Sequence, residues 1–131
     1  MSKEADRPIL VRGSLRTIEY AVCANGSMPA KDFIEGLDES DQRKLVVLFR
    51  RMAEKGNVPN REQFKLVRER VFEFKKHQIR VFCFRSGDRC PLANGYKKKR
   101  NRLDQSEVVR AERIMREHLE REAGERKGQK E

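Results

Sequence analysis

Five cations fall within six positions, Lys97, Lys98, Lys99, Arg100 and Arg102, directly after Tyr96. Just upstream, Arg80 and Arg85 lie in or beside the apolar run Ile79–Phe84, and Glu73, Lys75 and Lys76 belong to the run before it. A phosphodiester cleaved by its own 2′-hydroxyl needs a group to take the proton, cations for the dianionic phosphorane, and an acid for the leaving 5′-oxygen. Arg80 and Lys98, with Lys97, Lys99, Arg100, Arg102, Arg85, Lys75 and Lys76 around them, are the residue types that stabilise such an anion. Tyr96, or a lysine depressed by cationic neighbours, can move the proton. Tyr96 is equally suited to stacking a base, or to lying with its ring at a core edge. Glu73 reads as a base beside the cations or as an ion-pair partner for Arg80.

Other chemistries lack their constellations. The chain has no Gly-rich phosphate loop, no H-E-x-x-H and no G-x-S-x-G. His77 falls in an expected turn and His118 on a charged helix, so both read as solvated side chains. The three cysteines are odd in number and form no C-x-x-C pair. They argue against a disulfide framework or zinc site and fit a reducing cytosol. Cys83 reads as a small core residue. No metal or other cofactor is expected. No run approaches the ~18 apolar residues of a membrane span, and the N-terminus lacks a signal-peptide pattern.

The elements that must position these residues follow from periodicity. Leu15–Cys23 reads as a first strand with Ile18, Tyr20 and Val22 on one face. A short helix over Ala30–Leu37 follows Pro29. A second helix, Asp41–Lys55, carries Leu45, Leu48, Phe49 and Met52 at i, i+3, i+4, i+7, with Ser40 as its expected N-cap and Gly56 as its C′ residue. Gln63–Val67 leads into a meander of three strands, Val71–Lys76, Ile79–Arg85 and Arg89–Tyr96, with a Ser86-Gly87-Asp88 turn. In the middle strand Ile79, Val81 and Cys83 alternate with Arg80, Phe82 and Phe84. Apolar residues on both sides predict a central strand covered on both faces. An unpartnered buried guanidinium is costly, so Arg80 is expected at the edge of its face, reaching an anion. Asp104-x-x-Glu107 opens a last helix, Ser106–Arg121. The expected fold is α+β: a small, mostly antiparallel sheet (N-terminal strand plus meander), an N-terminal helical hairpin and a C-terminal helix. One domain is expected over 1–122, with a polar disordered tail at 123–131.

The charge is localised. Of the net +10, residues 61–102 hold 14 Lys/Arg against 4 Asp/Glu, and the rest of the chain is balanced. A single-sign field on the sheet and its loops attracts polyanions, with RNA, DNA and acidic protein segments as candidates.

The string FEFKKHQIRVFCF resembles the strand–turn–Ile-Arg–strand signature of RelE/ParE-type toxins of type II toxin–antitoxin systems. NGYKKKRNRL followed by VVRAERIM is similar to their phage Gp49-like (HigB-like) branch, which shows Gly-aromatic-x-Lys-Lys before a capped helix. Here those residues are Gly95, Tyr96, Lys98 and Lys99, with Ala111 within the helix. The resemblance spans roughly 15–119. It implies a toxin that cleaves mRNA without a metal, usually on the ribosome, and a cognate antitoxin partner. It implies a phosphate-binding role for Arg80. It also departs from the nuclease pattern: where RelE carries two strand lysines this chain has Val71 and Glu73. A ParE-like inhibitor of a topoisomerase, or a phage-derived module that binds nucleic acid without cutting it, are the other functions the likeness allows.

Overall fold

The computed structural model describes residues 7–99 and 103–129. Along the chain run β1 (Ile9–Arg12), β2 (Thr17–Tyr20), α1 (Pro29–Glu35), α2 (Glu39–Lys55), β3 (Phe64–Arg68), β4 (Val71–Lys76), β5 (Ile79–Cys83), β6 (Arg89–Lys97) and α3 (Gln105–Gln129). The strands form one six-stranded sheet in the order β1-β2-β6-β5-β4-β3. Its pairs are antiparallel except β2 with β6, which run parallel. No helix among the described residues is long and apolar enough to cross a membrane.

The α+β class, the helical hairpin, the meander and the C-terminal helix stand as the pattern predicts, but the layout needs four corrections. Ile9–Arg12 is a strand although Gly13 follows it. A Cβ at Gly13 would lie 2.4 Å from the Ala53 carbonyl carbon, so this glycine permits close packing on α2. The first expected strand shortens to Thr17–Tyr20, because the Leu15 and Arg16 amides both donate to Ala53 O at 2.9 Å instead of to a neighbouring strand. Residues 64–68 form an edge strand and not a lead-in; a register shift between Leu66 and Arg68 breaks its alternation. Finally, α3 continues through Gln129, over the segment read as a disordered tail. Ion pairs one turn apart, Arg113–Glu117 at 2.8 Å and Arg121–Glu125 at 3.2 Å, support that solvated face.

The helices cover both faces of the sheet. On one face α2 buries Leu45, Leu48, Phe49 and Met52 against Phe74, Val81 and Leu92. Asp38, not Ser40, caps α2: its Oδ1 accepts the Asp41 amide at 2.8 Å. Gly56 closes it at φ 79°, the left-handed conformation that favours glycine. On the other face Val108, Ala111 and Ile114 of α3 pack on Phe82, Phe84 and Ala93. All five residues of β5 are buried, as its two-sided apolar pattern predicts. α1 presses closely on β6: a Cβ on Gly95 would lie 2.3 Å from the Phe33 ring.

Candidate functional site

Strand register decides which of the candidate residues meet. Lys65, Glu73, Phe82 and Asn94 form one row across β3, β4, β5 and β6. Lys75, Arg80 and Tyr96 form the next row toward the β4–β5 hairpin. Paired residues share a face, and Phe82 places these rows on the α3 side. Lys98 continues β6 past the second row, its amide donating to Gln78 O at 2.6 Å. Glu73, Arg80, Tyr96 and Lys98 therefore share one rim, joined by Lys75 and by Lys65, which the sequence pattern did not single out. Recognising β3 as an edge strand with Phe64 and Leu66 on one face would have placed Lys65 on the other.

Arg80 does not reach outward as expected. It is 6% exposed, and Nη1 donates to His77 O at 2.5 Å and Ile79 O at 3.0 Å. Among the described residues its Nε finds no hydrogen-bond partner, and it stands 4.0 Å from Glu73 Oε1. The carbonyls of its own hairpin hold the guanidinium, and His77 there takes a φ of 56°. Glu73 is 2% exposed. Burial pushes its carboxyl above the usual range, against the pull of Arg80, Lys65, Lys75 and Lys98.

Tyr96, Lys98, Lys65 and Lys75 are the half-buried members of the rim, above the buried Glu73 and Arg80. Burial holds the Tyr96 phenol above its ordinary value, although the Asp104 amide donates to its hydroxyl at 3.3 Å. The ring lies near-parallel to Phe82, centroids 5.8 Å apart. Lys98 shifts the other way: burial, then Arg80, lowers its ammonium pKa, with Lys75 and Lys65 adding to the effect and Glu73 opposing it. Between Tyr96–Lys99 and the start of α3 (Leu103, Asp104, Gln105, Glu107) lies a cleft of about 670 Å³. Asp104 Oδ1 accepts from the Ser106 hydroxyl at 2.6 Å and its amide at 3.0 Å, so this residue caps α3. The return arm of the expected capping box is replaced: the Asp104 amide meets Tyr96, and Glu107 pairs with Arg110 at 3.4 Å. Asn94 Nδ2 adds a tie to Glu107 O at 3.2 Å.

The remaining candidates are dispersed. Lys76 and Lys97 both pair with Ile79, which puts them on the helical-hairpin side of the sheet. Lys99 is exposed at the cleft. Arg85 lies on the hairpin side too, its guanidinium 4.8 Å from the Phe72 ring centroid. Arg100 and Arg102 fall outside the described residues.

A second polar cluster went unread in the sequence. His118 is 3% exposed rather than solvated. Its Nδ1 accepts the Val22 amide at 3.0 Å, which pins α3 to the end of β2. Nearby, Glu19 pairs with Arg7 at 3.0 Å and Arg89 at 3.4 Å, and Arg89 also donates to both oxygens of Glu122. Glu19, His118 and Glu122 present donor atoms within 4.8 Å of one another. The set does not fit a metal ion. With Nδ1 accepting, the neutral ring carries its proton on Nε2, the atom that faces Glu122 at 3.5 Å. Coordination through Nε2 would put that proton on Nδ1, against the Val22 N–H. Arg7 and Arg89 already neutralise the two carboxylates.

No curated protein matches the chain. The family described as phage derived protein Gp49-like (DUF891) matches residues 32–116. That span starts in α1, ends within α3 and includes every element of the rim. The chain therefore belongs to the phage-derived Gp49-like family.

Proposed function

We propose that this Gp49-like protein is the toxin of a toxin–antitoxin pair, acting in the cytoplasm as a metal-independent endoribonuclease on mRNA, with ribosome-bound message as its substrate. The observation that carries this reading is the one basic rim that Tyr96 and Lys98 share beside the buried Arg80–Glu73 pair; burial raises the Tyr96 phenol and lowers the Lys98 ammonium. Two titratable groups driven apart by their surroundings suit base and acid roles. Lys98, in its deprotonated form, accepts the proton of the 2′-hydroxyl as that oxygen bonds to phosphorus. Tyr96 gives its proton to the 5′-oxygen as that bond breaks. The products are a 2′,3′-cyclic phosphate and a free 5′-hydroxyl. Lys75 and Lys65 supply positive charge to the phosphorane. Arg80 and Glu73 act from beneath, as a buried pair setting the field at Lys98, so Arg80 is a positioning residue and not a phosphate clamp. An acidic segment of a cognate antitoxin would silence the protein by covering these cations.

The test maps RNA ends after brief induction in cells, and in vitro with purified RNA and with ribosomes. Wild type yields cyclic-phosphate ends; Lys98→Gln and Tyr96→Phe each lower the rate about 100-fold while the fold is kept. Blocked replication with intact transcripts selects a topoisomerase inhibitor instead. Salt-dependent RNA binding without cleavage selects a non-catalytic module.

A further inference from the structure

On the face opposite the rim, a groove of about 390 Å³ opens beside the edge strand β3. Phe64, Leu66, Phe72 and Pro59 supply its apolar lining, and Arg61, Lys65 and Arg85 its cations; none of the described lining residues is acidic. Phe64 and Phe72 stack at 5.2 Å with their planes 4° apart. Arg85 lies across both rings, its guanidinium 4.8 Å from the Phe72 centroid and 5.9 Å from that of Phe64. Among the described residues its buried Nε finds no hydrogen-bond partner. Leu66 is 53% exposed on β3, the edge strand of the described sheet.

We infer that this groove is a second subsite for single-stranded RNA, holding one nucleotide with its base against Arg85 and Leu66 and its phosphate at Lys65 and Arg61. The inference deepens the proposed function, on which it rests for the identity of the ligand. Three observations point to a nucleotide. A guanidinium lying against two aromatic rings offers cation and π surface to a planar base. The cations beside it match a phosphate. Lys65 belongs to both places: it lines the groove, and its charge acts on Glu73 and Lys98 of the rim. A strand running from the rim around the β3 edge passes Lys65. An acidic peptide would satisfy the charges but leave the stacked platform unused.

The test uses uncleavable 2′-O-methyl RNA of three and of roughly ten nucleotides, the longer within the usual reach of such sites, in fluorescence anisotropy with the full chain. Arg85→Gln should weaken the decamer about tenfold and leave the trimer, which the rim alone holds, unchanged. Arg85→Lys keeps the charge but loses the plane; it should restore the salt slope without restoring the affinity. Cleavage of a dinucleotide should be the same in both variants as in wild type. The subsite is refuted if decamer affinity ignores Arg85, if trimer and decamer weaken equally, or if a Glu-rich peptide and not RNA shows the Arg85 dependence. Cleavage with Arg85-independent binding removes the subsite and keeps the nuclease. Arg85-dependent decamer binding without cleavage does the reverse.

Discussion

Arg80→Met offers the sharpest test of how the rim is built. The substitution keeps an unbranched side chain and removes the guanidinium. Two hairpin carbonyls, those of His77 and Ile79, lose their donor, at about 1 kcal/mol each. Glu73 loses a charge partner 4.0 Å away, a Coulomb attraction of about 4 kcal/mol at an effective dielectric near 20. Only part of that is forfeited, because Lys65, Lys75 and Lys98 still pull on the carboxylate and because Glu73 can take up a proton. The net cost should be about 3 kcal/mol at pH 8, or roughly 10 °C in Tm.

The pH dependence separates the two parts. Losing Arg80 raises the Glu73 pKa further above its unfolded value. A carboxyl raised in the folded state contributes stability below its unfolded pKa, and that contribution is lost as pH rises through the folded value. The Arg80→Met penalty should therefore be smaller at pH 5 than at pH 8. Adding Glu73→Leu should recover about half of the pH 8 loss, leaving the carbonyl part, which does not titrate. Urea unfolding followed by circular dichroism at both pH values measures all four members of the cycle. Equal penalties at the two pH values, or additive losses in the double variant, would refute the coupling of Arg80 to Glu73.

Other perturbations probe the surrounding fold. Gly95→Ala should destabilise by about 1–3 kcal/mol through its clash with Phe33, and Phe33→Leu should relieve it in the double variant, both read in urea. His118 is held neutral in the folded chain, chiefly by burial, with Arg89 and Arg121 acting the same way and Glu122 and Glu125 opposing. Its depressed pKa contributes stability above the unfolded value of about 6.5, lost as pH falls toward the folded value. His118→Gln can still accept the Val22 amide, and should flatten the decline in stability between about pH 7 and 5.

The rows of the sheet were legible because β4, β5 and β6 carry clear alternation and tight turns. Knowing that Arg80, Phe82 and Phe84 share a face placed Arg80 with Tyr96 once the hairpins were aligned. What the sequence hid was the destination of the polar groups. Arg80 looked as though it must reach an external anion, since alternation does not reveal that two carbonyls of its own hairpin and a glutamate one strand away would hold it. Arg85 was grouped with the rim because it is near in sequence, yet it lies on the opposite face, over Phe72. His118 looked solvated among Glu and Arg, because its i,i+4 neighbours say nothing of the Val22 amide 96 residues away. The β2–β6 pairing is equally non-local: a parallel neighbour contributed by the start of the chain leaves no mark on the meander.

The sheet contains the same device twice, a buried glutamate ringed by cations, and the two copies should behave differently. Glu19 is enclosed by Arg7 and Arg89, with Arg89 tied also to Glu122 beneath α3. Glu73 is ringed by Arg80 and by Lys65, Lys75 and Lys98, lysines that reach the surface. Burial raises the pKa of both carboxyls. The first arrangement closes the structure and the second opens onto the cleft. Glu19→Gln should thus cost about 1–3 kcal/mol of stability by stranding half of the Arg7 and Arg89 pairing, and leave the pH–rate profile of RNA cleavage in place. Glu73→Gln removes a desolvation penalty along with an attraction, so its effect on stability should be small. It also removes the group that, among the described residues, raises the Lys98 pKa against burial and three cations. The rising limb of the pH–rate profile should then move to lower pH, because Lys98 loses its proton more readily. A profile shifted by Glu19→Gln and unmoved by Glu73→Gln would mean that the open ring has no part in the chemistry.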